Sequence, residues 1–518
     1  MLFLYGPPGA GKSSAGALLA QALALPFVDL DSLITIMAGK TIPEIFEAEG
    51  EAGFRARERA ALTATTAEHA VRGAVVSLGG GALLDEANRR TAEDAGQVVL
   101  VNASPEILEA RTAASRGGRP LLHKQTIKAL VEERAGHYAS FPCRVDSSTR
   151  TAAETAWAVQ KAAGRYFVSG MGAGYPVLIR SGSLDELGSR LANLGRRSAW
   201  GIVSDENVWG LYGARITQSL EQAGLDFHSF ILPAGEAQKS SARLEMLWGD
   251  FLAAGLDRGS AVAAVGGGVI GDLAGFAAAT FMRGIPWAAV PTTLLAMVDA
   301  SMGGKTGINL AQGKNLAGAF HPPLGVYSDP EVLATLPPEE LRSGMAEVIK
   351  SGVIGDAALF RLCGQGWPQE AAARHTLVSR AAAVKIEIIQ QDPEEGGLRA
   401  RLNFGHTIGH AVEKLSNYSL RHGEAVAIGM ALEGRIAERL ALAETGLSEK
   451  IAAVLKKFDL PVEAPEGIDR AEILGKIKLD KKKSGGRAHF ALPREIGQVD
   501  HGIAVDDLET VLKDIMEG

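Results

Sequence analysis

Residues 399–424 hold a dense run of groups able to do chemistry: Arg399-Ala-Arg-Leu-Asn403-Phe-Gly-His406-Thr-Ile-Gly-His410, then Arg421-His422-Gly-Glu424. Three of the chain's 11 histidines fall here, at 406, 410 and 422. Imidazoles with one carboxylate are the ligands of a catalytic divalent ion, three protein groups leaving one position open to substrate. The carboxylate candidate is Glu347, in Ser343-Gly-Met-Ala-Glu347-Val-Ile-Lys350. Glu347 and Lys350 are three apart and His406 and His410 four apart, so each pair shares a helix face. Two of the three histidines suit a metal and the third suits proton transfer. Spacing alone favours His406 with His410.

A second chemistry opens the chain. Gly6-Pro-Pro-Gly9-Ala-Gly11-Lys12-Ser13 satisfies G-x-x-x-x-G-K-[ST] after an apolar strand and before a helix. Such a loop turns backbone N–H groups onto phosphate oxygens, with Lys12 reaching the β- and γ-phosphates and Ser13 holding Mg²⁺. A third signal, Gly266-Gly-Gly268-Val-Ile-Gly271, fits G-x-G-x-x-G, but residues 285–295 carry no acid for a ribose. Asp205, after an earlier strand, is the better ribose partner, so a dinucleotide domain here has its acid before its glycines.

These groups need elements to hold them. Apolar runs predict strands at 2–5, 27–30, 74–78 and 98–102 with helices between, beginning at 12–24, the rhythm of a parallel α/β sheet. A helix at 151–163 stops at Gly164, and the domain break is placed there. Strands at 166–169, 176–180, 200–203 and 261–265 begin a second α/β unit, with Ser183 and Glu186 forming a capping box. Beyond Pro330 the pattern is helical: 339–362, 370–391, 404–415 and 423–442. The expected fold class is α/β: a P-loop-type parallel sheet at 1–163, a Rossmann-like NAD domain at 164–329, and a mainly helical metal- and substrate-binding domain at 330–518.

Composition narrows the function classes. The 518 residues are 46% hydrophobic and 22% charged, with net charge −7, which does not advertise nucleic-acid binding. Two distant cysteines, Cys143 and Cys363, suit a reducing compartment and not a disulfide framework. No apolar run reaches the length of a membrane span, and Met-Leu-Phe-Leu-Tyr reads as a strand and not as a signal peptide. A cytoplasmic enzyme of small molecules, with no nucleic-acid or membrane partner, is the expectation.

Over residues 1–150 the motifs Phe-Val-Asp29-Leu-Asp31, Gly-Phe-Arg55-Ala-Arg-Glu58, Ser-Leu-Gly79-Gly80-Gly81 and Arg119-Pro-Leu-Leu occur in an order that resembles shikimate kinase. The resemblance implies ATP with Mg²⁺ as cofactor. It gives Gly9, Gly11, Lys12, Ser13 and Ser14 to ATP, Ser13 and Asp29 to Mg²⁺, and Asp31 to the shikimate hydroxyl. Arg55 and Arg134 would clamp the shikimate carboxylate, Gly80 and Gly81 would admit the ring, and Arg119 would close a lid. Pro8 and Ser14 depart from that family's usual methionine and threonine.

Residues 165–518 resemble 3-dehydroquinate synthase, through Gly235-Glu236 with Lys239, Pro291-Thr292-Thr293…Asp299…Lys305-Thr, Gly313-Lys314-Asn315, and the Glu347 and histidine segments. The likeness assigns NAD to Asp205, Asn207, Glu236, Lys239, Gly268, Asp272, Thr292, Thr293, Lys314 and Thr335. It gives Glu347, His406 and His422 to Zn²⁺ (or Co²⁺), leaving His410 near the reacting centre. Asp299, Lys305 and Lys350 would join His410 in catalysis. Arg283, Asn315, Lys385, Arg399, Asn403 and Lys481, the last in a lysine run at 476–483, would bind substrate. The implied reaction converts a seven-carbon sugar-acid phosphate, 3-deoxy-D-arabino-heptulosonate 7-phosphate, to 3-dehydroquinate with loss of phosphate. NAD is reduced and reoxidised in each turnover. A homodimer is implied as well. The competing readings are a different small-molecule kinase, or a nucleotide-binding regulatory module, joined to a metal- and NAD-dependent polyol dehydrogenase or cyclitol synthase.

Overall fold

The computed structural model describes residues 1–113, 126–417, 419–481 and 488–517, without the side chains of 479–481 and 517. The chain divides into two compact units, Met1–Phe167 and Val168–Gly518.

In the first unit β1 (Leu2–Tyr5), β2 (Phe27–Asp29), β3 (Val75–Ser77), β4 (Gln97–Asn102) and β5 (Arg144–Asp146) form one parallel sheet in the order β2-β3-β1-β4-β5. Alternation along β1 sends Phe3 and Tyr5 into one core and Leu2 and Leu4 into another, as successive side chains of a strand must. A central strand of a parallel sheet is covered on both faces, hence its unbroken apolar run. The chain reverses order beside β1, so the loop at its carboxyl end opens into the crevice where ligands of such sheets bind. That loop begins at Gly6, where φ is 137° and a Cβ would lie 2.0 Å from the Val101 carbonyl oxygen; only glycine fits.

The division falls within β6 (Arg165–Val168), and the second unit carries β7 (Tyr175–Ile179), β8 (Trp200–Asp205), β9 (Phe227–Leu232), β10 (Ala261–Gly266), β11 (Trp287–Pro291), the ribbon β12 (Lys305–Leu310) and β13 (Gly313–Phe320), and β14 (Val326–Ser328). The main sheet runs β6-β7-β14-β11-β10-β8-β9, with β12 and β13 paired apart from it. Helices follow, and then a hairpin of β15 (His489–Glu495) and β16 (Gln498–Ala504).

Two expectations need correction. Ser183 and Glu186 form no capping box: the helix starts at Leu187, and the N–H groups of Gly182 and Leu184 donate instead to the Asp329 carboxylate. The helix expected at 339–362 is two, Pro338–Gly355 and Ala357–Cys363, because Asp356 leaves helical geometry and caps the second through Ala358 and Leu359 N–H. The C-terminal region is mainly helical, with β15 and β16 as a hairpin among its helices. The apolar stretch of β15 is short and runs into Pro493, so it gives no period-2 signal.

Three helices position the histidines: Pro338–Gly355, His406–Leu415 and His422–Arg439. They meet backbone to backbone. A Cβ at Gly423 would lie 2.1 Å from the Ser343 carbonyl oxygen, and one at Gly429 would lie 1.8 Å from that of Gly405. Among the described residues no helix is long and apolar enough to cross a membrane.

Candidate active sites

In the first unit the loop after β1, the ends of β2 and β3 and the helix Ile42–Glu68 enclose a cavity of about 460 Å³. Gly9, Gly11, Lys12, Ser13, Ser14, Asp29, Asp31, Arg55, Gly80, Gly81 and Arg134 all line it. Arg119 lies outside the described residues. The Lys12 ammonium donates to the Gly6 and Pro7 carbonyls at 2.8 and 3.0 Å, which holds it over the phosphate cradle. Ser13 Oγ donates to Asp29 at 2.6 Å. A hydroxyl beside a carboxylate at the mouth of a P-loop is an oxygen donor set suited to Mg²⁺.

The other end of the cavity is built for an anion. Arg134 donates to the Gly80 carbonyl at 3.0 Å, and a Cβ at Gly81 would come within 2.9 Å of Arg55 and 3.4 Å of Arg134. Both guanidiniums therefore converge on Gly81. Asp31 and Glu58 converge on Gly79 from the other side. Glu58 is buried, which raises its carboxyl above the ordinary range even though Arg55 pairs with it at 2.8 Å. The sequence reading gave no role to Glu58, nor to Arg111, which lines the cavity and holds Ser147 O at 2.9 Å. Arg111 has no motif of its own; only the packing of helix Pro105–Ala113 beside the P-loop brings it in.

In the second unit Glu347, His406 and His422 place one ligand atom each within 4.8 Å of one another. Glu347 Oε1 stands 3.6 Å from His406 Nε2 and 3.5 Å from His422 Nε2. It is buried and makes no hydrogen bond. Around a tetrahedral zinc with bonds of about 2.0–2.1 Å, ligand atoms stand about 3.3 Å apart, so an orphaned carboxylate oxygen between two imidazole nitrogens fits a divalent ion. His406 Nδ1 lies 3.2 Å from the Phe404 carbonyl, which fixes its proton there and frees Nε2 as a lone-pair donor. His422 Nδ1 faces Glu413 at 3.8 Å, and Glu413 is in turn held by Lys314 at 2.8 Å. His410 is exposed; its ring stands 5.1 Å from that of His406, and it groups with Glu413 and His422 instead.

The charges of this cluster are set by burial and by each other. Burial opposes ionisation of Glu347, yet the Lys350 ammonium and the two imidazoles hold its carboxyl well below the usual range. Burial, with Lys350 beside it, depresses His406 far below an ordinary imidazole, so it is neutral at pH 7. His422 goes the other way: burial lowers it, but Glu347 and Glu413 outweigh that and lift it to about 9. Glu413, despite burial, is pulled to about 2 by His422 and Lys314. Sequence reading missed Glu413, although its spacing three residues after His410 puts both on one helix face.

The cofactor and substrate candidates lie on the surrounding elements. Gly268 opens the helix Gly268–Thr280, and Asp205 ends β8, where its side chain accepts from Asn207 and Val208 N–H at 3.0 Å. Lys239 is buried and joins Asp272 to Asn315; burial raises the Asp272 carboxyl against the pull of Lys239. Glu236 binds Asn309 at 2.7 Å. Thr292 Oγ1 is buried with no partner, as is Ser301 Oγ, which the sequence reading passed over. Thr293 accepts from Ala296 N–H, and Thr335 is tied to Tyr212. Lys385 pairs with Asp299 at 2.6 Å, while Lys305 and Arg399 share Glu395. Asn403 is exposed, and so is Arg283, on a left-handed turn (φ 73°) outside these pairs. The side chain of Lys481 is outside those described.

Known families match three stretches: shikimate kinase over residues 8–163, 3-dehydroquinate synthase N-terminal over 229–343, and 3-dehydroquinate synthase C-terminal over 344–483. The 3-dehydroquinate synthase of Picosynechococcus sp. is 46% identical over 332 residues, 63% of this chain and 91% of its own length. Among solved structures, 2-epi-5-epi-valiolone synthase from Streptomyces hygroscopicus with NAD⁺ and Zn²⁺ bound is 32% identical at a TM-score of 0.60, covering 66% of this chain and 97% of its own. A 2-deoxy-scyllo-inosose synthase complexed with carbaglucose-6-phosphate, NAD⁺ and Co²⁺ is 25% identical at 0.61, covering 68% and 99%.

Proposed function

The chain belongs to the 3-dehydroquinate synthase family, with a shikimate kinase domain fused before it, and from that premise we propose how its residues divide two reactions of aromatic biosynthesis. The first unit phosphorylates shikimate with ATP. The second converts 3-deoxy-D-arabino-heptulosonate 7-phosphate to 3-dehydroquinate and releases phosphate. The observation that carries the second assignment is the Glu347–His406–His422 triad with its orphaned carboxylate oxygen.

In the kinase unit, bound ATP·Mg²⁺ supplies the phosphoryl group and neutralises its charge. Phosphoryl transfer asks the protein mainly for positioning and charge. Lys12 moves from the Gly6 and Pro7 carbonyls to the phosphates, and Ser13 with Asp29 seats the ion. Arg55 and Arg134 clamp the carboxylate of shikimate, and Asp31 holds and accepts the proton of its reacting hydroxyl. Gly80 and Gly81 leave room for the ring.

In the synthase unit, bound Zn²⁺ (or Co²⁺) polarises a substrate hydroxyl and bound NAD⁺ accepts and returns a hydride. Glu347, His406 and His422 hold the metal, with His422 oriented by Glu413. Asp205, Asn207, Glu236, Lys239, Gly268, Asp272, Thr292, Thr293, Lys314 and Thr335 line the cofactor's place. His410, exposed beside the triad, moves protons to and from solvent. Lys305, Lys350, Lys385, Arg399, Asn315 and Asn403 present cations and amides to a multiply anionic substrate, with Asp299 aligning Lys385. Arg283 completes that set.

The 46% identity to a 3-dehydroquinate synthase, against 25–32% to cyclitol synthases, favours this substrate over a cyclitol precursor. We place the working boundaries at 1–163, 164–329 and 330–518, the protein in the cytoplasm and the synthase unit in a homodimer. Purified full chain, given each substrate separately, tests the reading: phosphate release without net NADH supports the synthase, whereas accumulating NADH marks a dehydrogenase.

A further inference from the structure

Glu433 is a fully buried carboxylate that the two reactions leave without a role. It lies on the helix His422–Arg439, eleven positions after His422, which is close to three full turns, so both side chains leave the same face. Its oxygens accept the Gly405 N–H at 2.6 Å and the Ile408 N–H at 3.0 Å. These are first-turn donors of the helix His406–Leu415, which no carbonyl of that helix can satisfy.

A helix usually caps itself with a Ser, Thr, Asp or Asn at its N-cap. Here the N-cap is Gly405, at φ 80°, and a Cβ there would lie 2.7 Å from Met430 Cγ and 2.8 Å from the Val426 carbonyl oxygen. No side chain can stand at 405, so the cap comes from the neighbouring helix. The two donors it binds flank His406 in sequence. The same carboxylate therefore ties the helix that carries His406 to the helix that carries His422.

We propose that Glu433 is a positioning residue for the metal triad: by capping the His406 helix from the His422 helix, it sets the height and rotation at which His406 faces Glu347 and His422. The inference rests on the triad being a divalent-metal site. Glu433 acts through the backbone on either side of His406. Glu433→Gln keeps the shape but turns an amide N–H donor toward backbone N–H donors.

The test uses the full chain and Co²⁺ alone. Visible absorption of the bound ion reports ligand geometry, chelator competition reports affinity, and thermal unfolding of the metal-free protein reports the fold. Loss of an outer-shell partner costs about 10- to 100-fold in metal affinity. For Glu433→Gln we expect Co²⁺ binding weaker by about tenfold or more and a shifted spectrum, with a cooperative unfolding transition and kinase activity retained. Wild-type affinity and spectrum in Glu433→Gln would overturn the proposal. So would loss of the unfolding transition in metal-free Glu433→Gln, which would assign the residue to stability alone. A wild-type chain that takes up no Co²⁺ would instead remove the metal reading beneath it.

Discussion

Glu347 Oε1 lies 3.5 Å from His422 Nε2 across the meeting of two helices, and although it is buried no hydrogen bond reaches it. An oxygen that faces two imidazole nitrogens without a hydrogen bond is placed where a divalent cation would bring all three together. Stripping the protein with a chelator, then returning it to Mg²⁺ buffer free of zinc, should stop the synthase and spare the kinase. Zinc should restore what was lost. Full synthase turnover in metal-stripped protein would refute the ligand set.

Lys12 donates to the Gly6 and Pro7 carbonyls of the first unit. Lys12→Ala should abolish ATP-dependent phosphorylation of shikimate and leave phosphate release by the synthase at its wild-type rate. Parallel assays on one preparation check this. A matched fall in both rates contradicts separate sites.

Gly81 faces both guanidiniums of the anion end, with a built Cβ only 2.9 Å from Arg55. Arg55→Ala removes a charge-assisted bond of roughly 1.5–3 kcal/mol, so KM for shikimate should rise about ten- to a hundredfold. Gly81→Ala should displace Arg55 and raise the same constant in the same direction, with KM for ATP unchanged. Steady-state kinetics with each substrate varied would decide it; an effect confined to ATP would move the carboxylate elsewhere.

His375 links the helix Ala371–Gln391 to the end of β7 through a 2.9 Å contact with the Ile179 carbonyl. Burial depresses it below its ordinary 6.5, although the carbonyl favours the charged form. The unfolded chain then binds this proton at a higher pH than the folded one. Stability held by neutral His375 is complete above pH 6.5 and is lost as pH falls through the folded value. His375→Gln should therefore flatten the decline of the urea midpoint as pH falls below 6.5. An unaltered slope would show that other groups carry the acid sensitivity.

Local physics made much of this protein legible. The loop at Gly6–Ser13 can be read from residues because its function is backbone geometry over eight neighbours. The boundaries of β1, β4 and the helices Ala152–Ala163 and Ala371–Gln391 followed from periodicity and from stops such as Gly164, which does take a left-handed φ of 63°. Where a side chain from far along the chain supplied the cap, as Asp329 does for residues 182–184, the local pattern misled. Arg111, Glu413 and Ser301 went unread for a related reason: each sits near its site only after helices and strands have packed.

The sequence by itself determined the inventory: a P-loop, a glycine turn after a strand, and a carboxylate with three histidines on helices. It could not choose among those histidines, because i,i+4 spacing makes His406 and His410 neighbours on any helix. Tertiary structure brings His406 and His422 to Glu347, and groups His410 with Glu413 and His422. Glycines at 405, 423 and 429 let three helices close to backbone contact, and that approach brings His422, sixteen positions beyond His406, against Glu347 while leaving His410 toward solvent. Which groups share a site depends on how closely helices pack, and that distance is a property of the whole fold.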